Sequence, residues 1–397
     1  MEYRFSKKIA DLKPSAIREI FKNLTDPAII SFAVGNPSPE SFPVNELAAL
    51  SERIFANEST TALQYNITEG YSPLRNDIAE RQQKRFGKSM VRDNDSVIVV
   101  SGGQQGIELA CKVFCNEGDA VICEDPSFVG ALNSFRSCGA IPVGVPMESD
   151  GISLPALEKT IRSTPNAKLM YLIPTFHNPT GITTSLKKRL QVLELAKKYD
   201  IIIIEDNPYG ELRFAGDDVP NLKNLDTDGR VIYCSSLSKI LSAGMRVGFV
   251  VANSTICTKM TVAKQGEDVH TNIFFQMLCH KYMTECDLDA HIAKINALYR
   301  HKCNLMLEYL DKYIPTDKVT FTRPQGGLFI WGTVHGVDDS SDIVKAALDK
   351  KVAVVPGSAF NCNTEAKSDS FRLNYSTPSD EQIIEGVKRL GEVFRTI

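Results

Sequence analysis

Long apolar runs are missing from this sequence: none is long enough to span a bilayer, and the opening Met1-Glu2-Tyr3-Arg4-Phe5-Ser6-Lys7-Lys8 lacks the apolar stretch of a secretion signal. The expectation is a soluble, cytoplasmic protein with no membrane partner. An excess of charge of one sign is missing too. Lys and Arg number 45 against 48 Asp and Glu, for a formal net charge of -3, which offers no global attraction to nucleic acid. An anionic ligand must therefore be caught locally. The ten cysteines contain no C-x-x-C pair and the six histidines no H-E-x-x-H spacing, so neither a disulfide frame nor a metal site is expected. Several cysteines sit among apolar neighbours, as in Ala120-Val121-Ile122-Cys123, and read as buried free thiols of a reducing compartment. Internal repeats and low-complexity linkers are absent as well.

What is present is ordinary globular composition. The 397 residues, 43% hydrophobic and 23% charged, suffice for one large domain and a smaller one. From about residue 96 short apolar runs alternate with amphipathic stretches. Strands are expected at 96–100, 120–123, 141–145, 169–173 and 201–204, with helices over 105–115, 127–136, 154–162 and 185–199 between them. Such alternation argues for parallel βαβ units with right-handed crossovers. Two further strands, 231–234 and 247–251, precede a mostly helical region to about 312. The remainder changes character, with short strands near 319–322, 328–332 and 352–355, a helix near 340–350 and a last helix from 379, as in a second, α+β domain.

Open parallel sheets bind ligands at the carboxyl ends of their strands, so the residues just after each apolar run carry the information. Ser101-Gly102-Gly103-Gln104-Gln105-Gly106 follows the first run. Its glycines let backbone amides approach an anion at a helix N-terminus, although the cluster reads equally as a plain strand-to-helix turn, and neither nucleotide fingerprint is matched. Asn178-Pro179-Thr180-Gly181 is ordinary turn chemistry that also fixes an amide side chain at a strand end. The four isoleucines Ile201 to Ile204 lead to Glu205-Asp206-Asn207-Pro208-Tyr209. A carboxylate at the end of so buried a strand is costly unless a cation or donor meets it. Finally, Ser236, Ser238, Lys239 and Arg246 follow the run at 231–234. Two hydroxyls and a guanidinium suit a phosphate dianion, and a lysine withdrawn from water becomes a nucleophilic amine for an aldehyde. Phosphate, aldehyde and an acidic partner for a ring nitrogen together specify pyridoxal phosphate.

At these residues the sequence resembles the class I/II aminotransferases of fold type I along nearly its whole length. Within them it is similar to the 2-aminoadipate and kynurenine aminotransferase group, through Leu63-Gln64-Tyr65, Gly102-Gly103-Gln104-Gln105, His177 to Gly181 and Ser236-Leu237-Ser238-Lys239. The resemblance implies an α/β fold with a large domain, built on a mainly parallel central sheet flanked by helices, and a smaller α+β domain. The implied divisions are an N-terminal arm over 1–40, a large cofactor-binding domain over 41–295 and a small domain over 296–397. It implies a homodimer and a pyridoxal-phosphate-dependent transfer of an amino group from an α-amino acid to a 2-oxo acid, 2-oxoglutarate by expectation, in a ping-pong cycle through pyridoxamine phosphate. Lys239 is then the Schiff-base lysine and proton carrier, Asp206 the partner of the pyridinium nitrogen, and Asn178 and Tyr209 the partners of the phenolic oxygen. Ser236, Ser238, Arg246, Gln104 and the amides around Gly102 and Gly103 hold the phosphate, with Tyr65 reaching in from a second subunit, and Phe128 stacks on the ring. Arg372, in Phe371-Arg372-Leu373-Asn374, grips the substrate α-carboxylate near Gly35, and Arg18, on a short amphipathic helix over 15–20, is a candidate for a distal carboxylate.

The sequence departs from many relatives at Gly103, where they carry serine, and at Phe128, where they carry tyrosine. Three rivals share some of these residues. A C-S lyase or decarboxylase would use the same Lys239 and Asp206. A cofactor-binding sensor domain of transcription regulators would need a further DNA-binding domain, for which this chain is expected to have no room. Ser236 to Lys239 also spells the S-x-x-K of penicillin-recognising hydrolases, but the accompanying K-T-G and S-D-N are missing.

Overall fold

The computed structural model describes residues 3–10 and 26–396. A two-residue strand β1 (Ile30–Ser31) is followed by two helices, α1 (Val44–Leu63) and α2 (Ser72–Phe86). The expected alternation then appears as β2 (Asp95–Val100), α3 (Gly103–Phe114), β3 (Ala120–Asp125), α4 (Val129–Ser137), β4 (Ile141–Glu148), β5 (Gly151–Ile152), α5 (Leu154–Ser163), β6 (Ala167–Leu172), α6 (Leu186–Lys198) and β7 (Ile202–Asp206). The strands β8 (Val231–Ser236) and β9 (Gly248–Asn253) complete this part, and α7 (Ser254–Gln265), α8 (Ile273–Glu285) and α9 (Leu288–Tyr313) follow.

These eight strands form one sheet in the order β2-β9-β8-β7-β6-β3-β4-β5. The neighbours β8, β7, β6, β3 and β4 run parallel, whereas β9 is antiparallel to both β2 and β8 and β5 is antiparallel to β4. The sheet is thus mainly parallel. Successive side chains leave a strand on opposite faces, and the core divides accordingly. Tyr171 and Ile204 pack with Ile107, Leu109 and Leu132 of α3 and α4, while Met170 and Ile203 pack with Leu157 and Val192 of α5 and α6. Burial on both faces explains the unbroken isoleucine run, each such side chain stabilising the fold by about 1.5–3 kcal/mol.

A second sheet of four antiparallel strands, in the order β10-β11-β14-β13, is built from β10 (Val319–Phe321), β11 (Phe329–Val334), β13 (Val355–Pro356) and β14 (Ser370–Asn374). The helix α10 (Ser341–Asp349) and the strand β12 (Val352–Ala353) lie within this region, and α11 (Asp380–Thr396) packs along α9. The strand β1 pairs in parallel with β12, and the Phe32 carbonyl accepts from the Asn374 amide. The early segment is therefore laid beside the C-terminal sheet. The division expected at 295/296 falls inside the continuous helix α9. Helices α1 and α2 had no counterpart in the sequence reading. Only Leu74, Ile78 and Gln82 of α2 are buried, too sparse a stripe for periodicity to register.

Candidate active site

Because β3, β6, β7 and β8 are parallel, their carboxyl ends lie along one edge of the sheet. The loop joining β8 to β9 brings Lys239 and Arg246 to that edge, and β14 of the second sheet brings Arg372. Between them is a cavity of about 360 Å³.

The anion-binding corner is assembled from α3 and the β8–β9 loop. The early amides of α3 have no intrahelical acceptor and carry the positive end of the helix dipole. Gly102 precedes them at φ +85°, where a Cβ would run into the Arg246 guanidinium. Gly248 lies opposite, and a Cβ there would stand 2.7 Å from the Gly102 carbonyl carbon, so glycine is required for the strand to approach this closely. Arg246 itself is held at φ +55°, with Nη2 donating to the Ser101 carbonyl at 3.2 Å. Ser236 Oγ donates to Ser238 Oγ at 2.6 Å and accepts from the Ser238 amide at 3.0 Å. Both serines line the cavity.

Lys239 Nζ donates to the Gly35 carbonyl at 2.9 Å. Burial, then the charges of Arg372 and Arg246, push its ammonium down to about 8, as expected for a cation withdrawn from water among like charges. Asp206 ends β7, beside Glu205, and alternation sends the two carboxylates apart. Glu205 accepts from the Leu222 and Lys223 amides at 2.9 and 2.8 Å and caps a helical turn, while Asp206 faces the cavity. Burial pushes the Asp206 carboxyl up to about 7, against a hydrogen bond from Tyr171, with nearby Glu124 adding to the rise. Burial and Asp206 likewise push the Tyr209 phenol upward.

Arg372, 3% exposed, lies between the rings of Phe329 and Phe360, its guanidinium carbon 4.3 and 4.8 Å from their centroids. Its Nη1 donates to Asn178 Oδ1 at 2.9 Å and its Nη2 to the Ala33 carbonyl at 2.7 Å, but Nε is buried without a partner. Burial holds its pKa down to about 10. No carboxylate pairs with it among the described residues, which for a buried guanidinium is a standing cost that an anionic ligand removes.

The expected site residues all line this cavity except three. Gly102 sits just behind it, against Arg246. Tyr65 is 80% exposed, edge-on to His270 with ring centroids 5.8 Å apart. Arg18 and the 15–20 helix lie outside the described residues. Gln104 lines the cavity while its amide group turns away, donating to the Gly130 carbonyl and Ser134 Oγ, so its backbone is what it offers an anion. Ile107, Ile173, Pro208, Phe329 and Asn36 also line the site and were not singled out from sequence. Pro208, between Asp206 and Tyr209, and Asn36, beside Gly35, had a signal in their neighbours.

The family model for aminotransferase class I and II matches residues 27–390. The chain belongs to that family. An aromatic-amino-acid aminotransferase from Thermococcus litoralis is 38% identical over 99% of this chain and 94% of its own length. A 2-aminoadipate transaminase from Thermus thermophilus is 38% identical over 98% of this chain and 96% of its own. The solved structure of a kynurenine aminotransferase from Pyrococcus horikoshii, in complex with PMP, superposes with a TM-score of 0.94 at 37% identity, covering 99% of this chain and 97% of that one. This aminotransferase is therefore a pyridoxal-phosphate enzyme of fold type I. The donor set fits that cofactor: an anion corner, a depressed lysine and a buried carboxylate open to one cavity.

Proposed function

We propose that this aminotransferase takes the amino group of an α-amino acid with an apolar or aromatic side chain and passes it to a second 2-oxo acid, with 2-oxoglutarate as the acceptor, in two half-reactions at the one site. The observation that carries this is Arg372, a buried guanidinium with no counter-ion among the described residues, which faces the same cavity as Lys239. The apolar walls at Phe329, Ile173 and Phe128, with the aromatic and kynurenine activities named for two relatives, support the donor class.

Pyridoxal phosphate, when bound, supplies an aldehyde for amine exchange and a ring that accepts the electrons of a broken Cα–H bond. Lys239 Nζ would anchor it covalently, and its free amine would be the base that takes and returns the proton at the substrate Cα. Burial, then the charges of Arg372 and Arg246, lower its pKa to about 8, which favours the free amine. Asp206 would be the ionised partner of the ring nitrogen. Asn178 and Tyr209 would donate to the phenolic oxygen, and Phe128 would cover one ring face. Ser236, Ser238, Arg246 and the amides of Gly103 and Gln104 hold the phosphate dianion. Arg372 grips the substrate α-carboxylate with two parallel donors.

The enzyme is proposed to act as a homodimer in the cytoplasm. The exposed Leu63 and Tyr65 support an interface there, with Tyr65 serving the partner's phosphate, and ten free cysteines suit a reducing compartment. The large and small domains are proposed to meet within α9, near 295/296, with residues 1–40 as the arm. The test is a panel of amino acids, including tyrosine, kynurenine and 2-aminoadipate, incubated with 2-oxoglutarate and scored for glutamate. Aromatic donors are expected to yield glutamate with the wild type and none with Lys239→Ala. No glutamate from any donor overturns the reading.

A further inference from the structure

Asp206 is held from one side only. Its Oδ2 accepts from the Tyr171 hydroxyl at 2.6 Å, while no described residue donates to Oδ1. Tyr171 lies on β6, adjacent to β7, where it pairs with Ile204, two residues before Asp206. It is completely buried, and Phe135 meets its ring edge-on at 5.4 Å between centroids. The phenol is thus fixed in direction. On the next strand Glu124 is also buried, its Oε2 accepting from the Ile173 amide at 2.8 Å and standing 3.3 Å from His177 Nε2. That second carboxyl works against the ionisation of Asp206, as does burial, whereas Tyr171 works for it.

We infer that Tyr171 is a positioning residue for the cofactor: it occupies Asp206 Oδ2, which turns Oδ1 to the cavity as an ionised oxygen and so selects a ligand ring that carries a protonated nitrogen. A charge-assisted hydrogen bond is suited to this task because it stabilises the carboxylate and not the neutral acid. With a phenylalanine at 171 the packing against Phe135 persists, but the carboxyl is left buried beside Glu124 with no side-chain donor. It then tends to the neutral acid, which gives a protonated ring nitrogen no charge to meet. This rests on the proposed pairing of Asp206 with the ring nitrogen.

The experiment compares two ligands in the full-length protein, stripped of cofactor and dialysed to equilibrium with either pyridoxal phosphate or its 1-deaza analogue, in which CH replaces the ring nitrogen. Attachment to Lys239 and the phosphate contacts are common to both ligands and cancel in the ratio of their affinities. The wild type is expected to prefer pyridoxal phosphate, and Tyr171→Phe to lose roughly tenfold of that preference, the scale of one hydrogen bond to a charged group. An unchanged ratio in Tyr171→Phe, including equal weakening of both ligands, overturns the inference and leaves Tyr171 a packing residue. A wild type without any preference overturns instead the pairing of Asp206 with the ring nitrogen. If Tyr171→Phe does not fold, 3-fluorotyrosine at 171, a stronger donor of nearly unchanged size, is expected to raise the preference, and a ratio that stays level or falls overturns the inference.

Discussion

Arg189 and Arg372 have the same charge and similar burial, and they differ in what meets them. Arg189 donates to the carbonyls of Thr184, Pro220 and Pro174 and to Thr175 Oγ1, which makes it a bracket between loops of the fold. Arg372 has two acceptors, two aromatic faces and an orphaned Nε. A buried donor left unmet is costly, and the cost falls here only when a carboxylate enters. Arg372→Ala is therefore expected to weaken amino-acid binding by ~2 to 5 kcal/mol, the usual loss when one member of a buried charge pair is removed. Steady-state kinetics with α-amino acids would show it, and wild-type KM and kcat in that variant would remove Arg372 from the carboxylate role. Sequence spacing displayed the arginine on an alternating strand but could not tell it from an exposed edge charge, because the strand is buried by Phe329 and Phe360 from elsewhere in the chain.

Among the elements, the junction of β2, α3 and β9 shows how a turn becomes a binding corner. Gly102 stands at φ +85° with ψ near 162°, a region open essentially to glycine, and an alanine costs about 1–3 kcal/mol there. Gly118 has almost the same φ, +87°, but open space where its Cβ would be. The pair separates backbone strain from site chemistry. Gly102→Ala is expected to lower both the melting temperature and the affinity for pyridoxal phosphate, since its methyl displaces the Arg246 guanidinium, whereas Gly118→Ala lowers the melting temperature alone. Thermal melts and cofactor titrations of the two variants check this. Equal cofactor affinities would mean that Arg246 takes no part in the anion corner. Glycine spacing marked the turn, yet the close approach of Gly248 and Arg246 comes from the β8–β9 return, about 145 residues later in the chain.

At the scale of the whole molecule, every expected site residue lies in or directly behind the one cavity except Tyr65 and Arg18, the latter outside the described residues. Tyr65 projects from the end of α1 into solvent, as a residue serving a second subunit would. Two variants that are each impaired, Lys239→Ala and Tyr65→Ala, are then expected to complement when mixed and allowed to exchange subunits. A hybrid dimer pairs the intact Lys239 of one chain with the intact Tyr65 of the other, and random exchange restores about a quarter of wild-type sites by the counting of a two-fold dimer. Activity no greater than the average of the separate variants would place Tyr65 outside the partner's site.

What the sequence determined by itself was whatever its local patterns encode. Apolar runs gave the strands of the main sheet except the two-residue β5, and turn residues just after them marked Asn178, Asp206, Ser236 and Lys239, because a parallel strand's carboxyl end is a fixed place in such a fold. Helices α1 and α2 were not legible, since few of their side chains are buried. Only the tertiary structure decided that Glu205 caps a helix while Asp206 faces the cavity, that the Gln104 side chain turns away, that Tyr171 donates to Asp206, and that Phe329 lines the site. These are contacts between residues remote in sequence, set by strand order and by the docking of the second sheet, and no spacing along the chain records them.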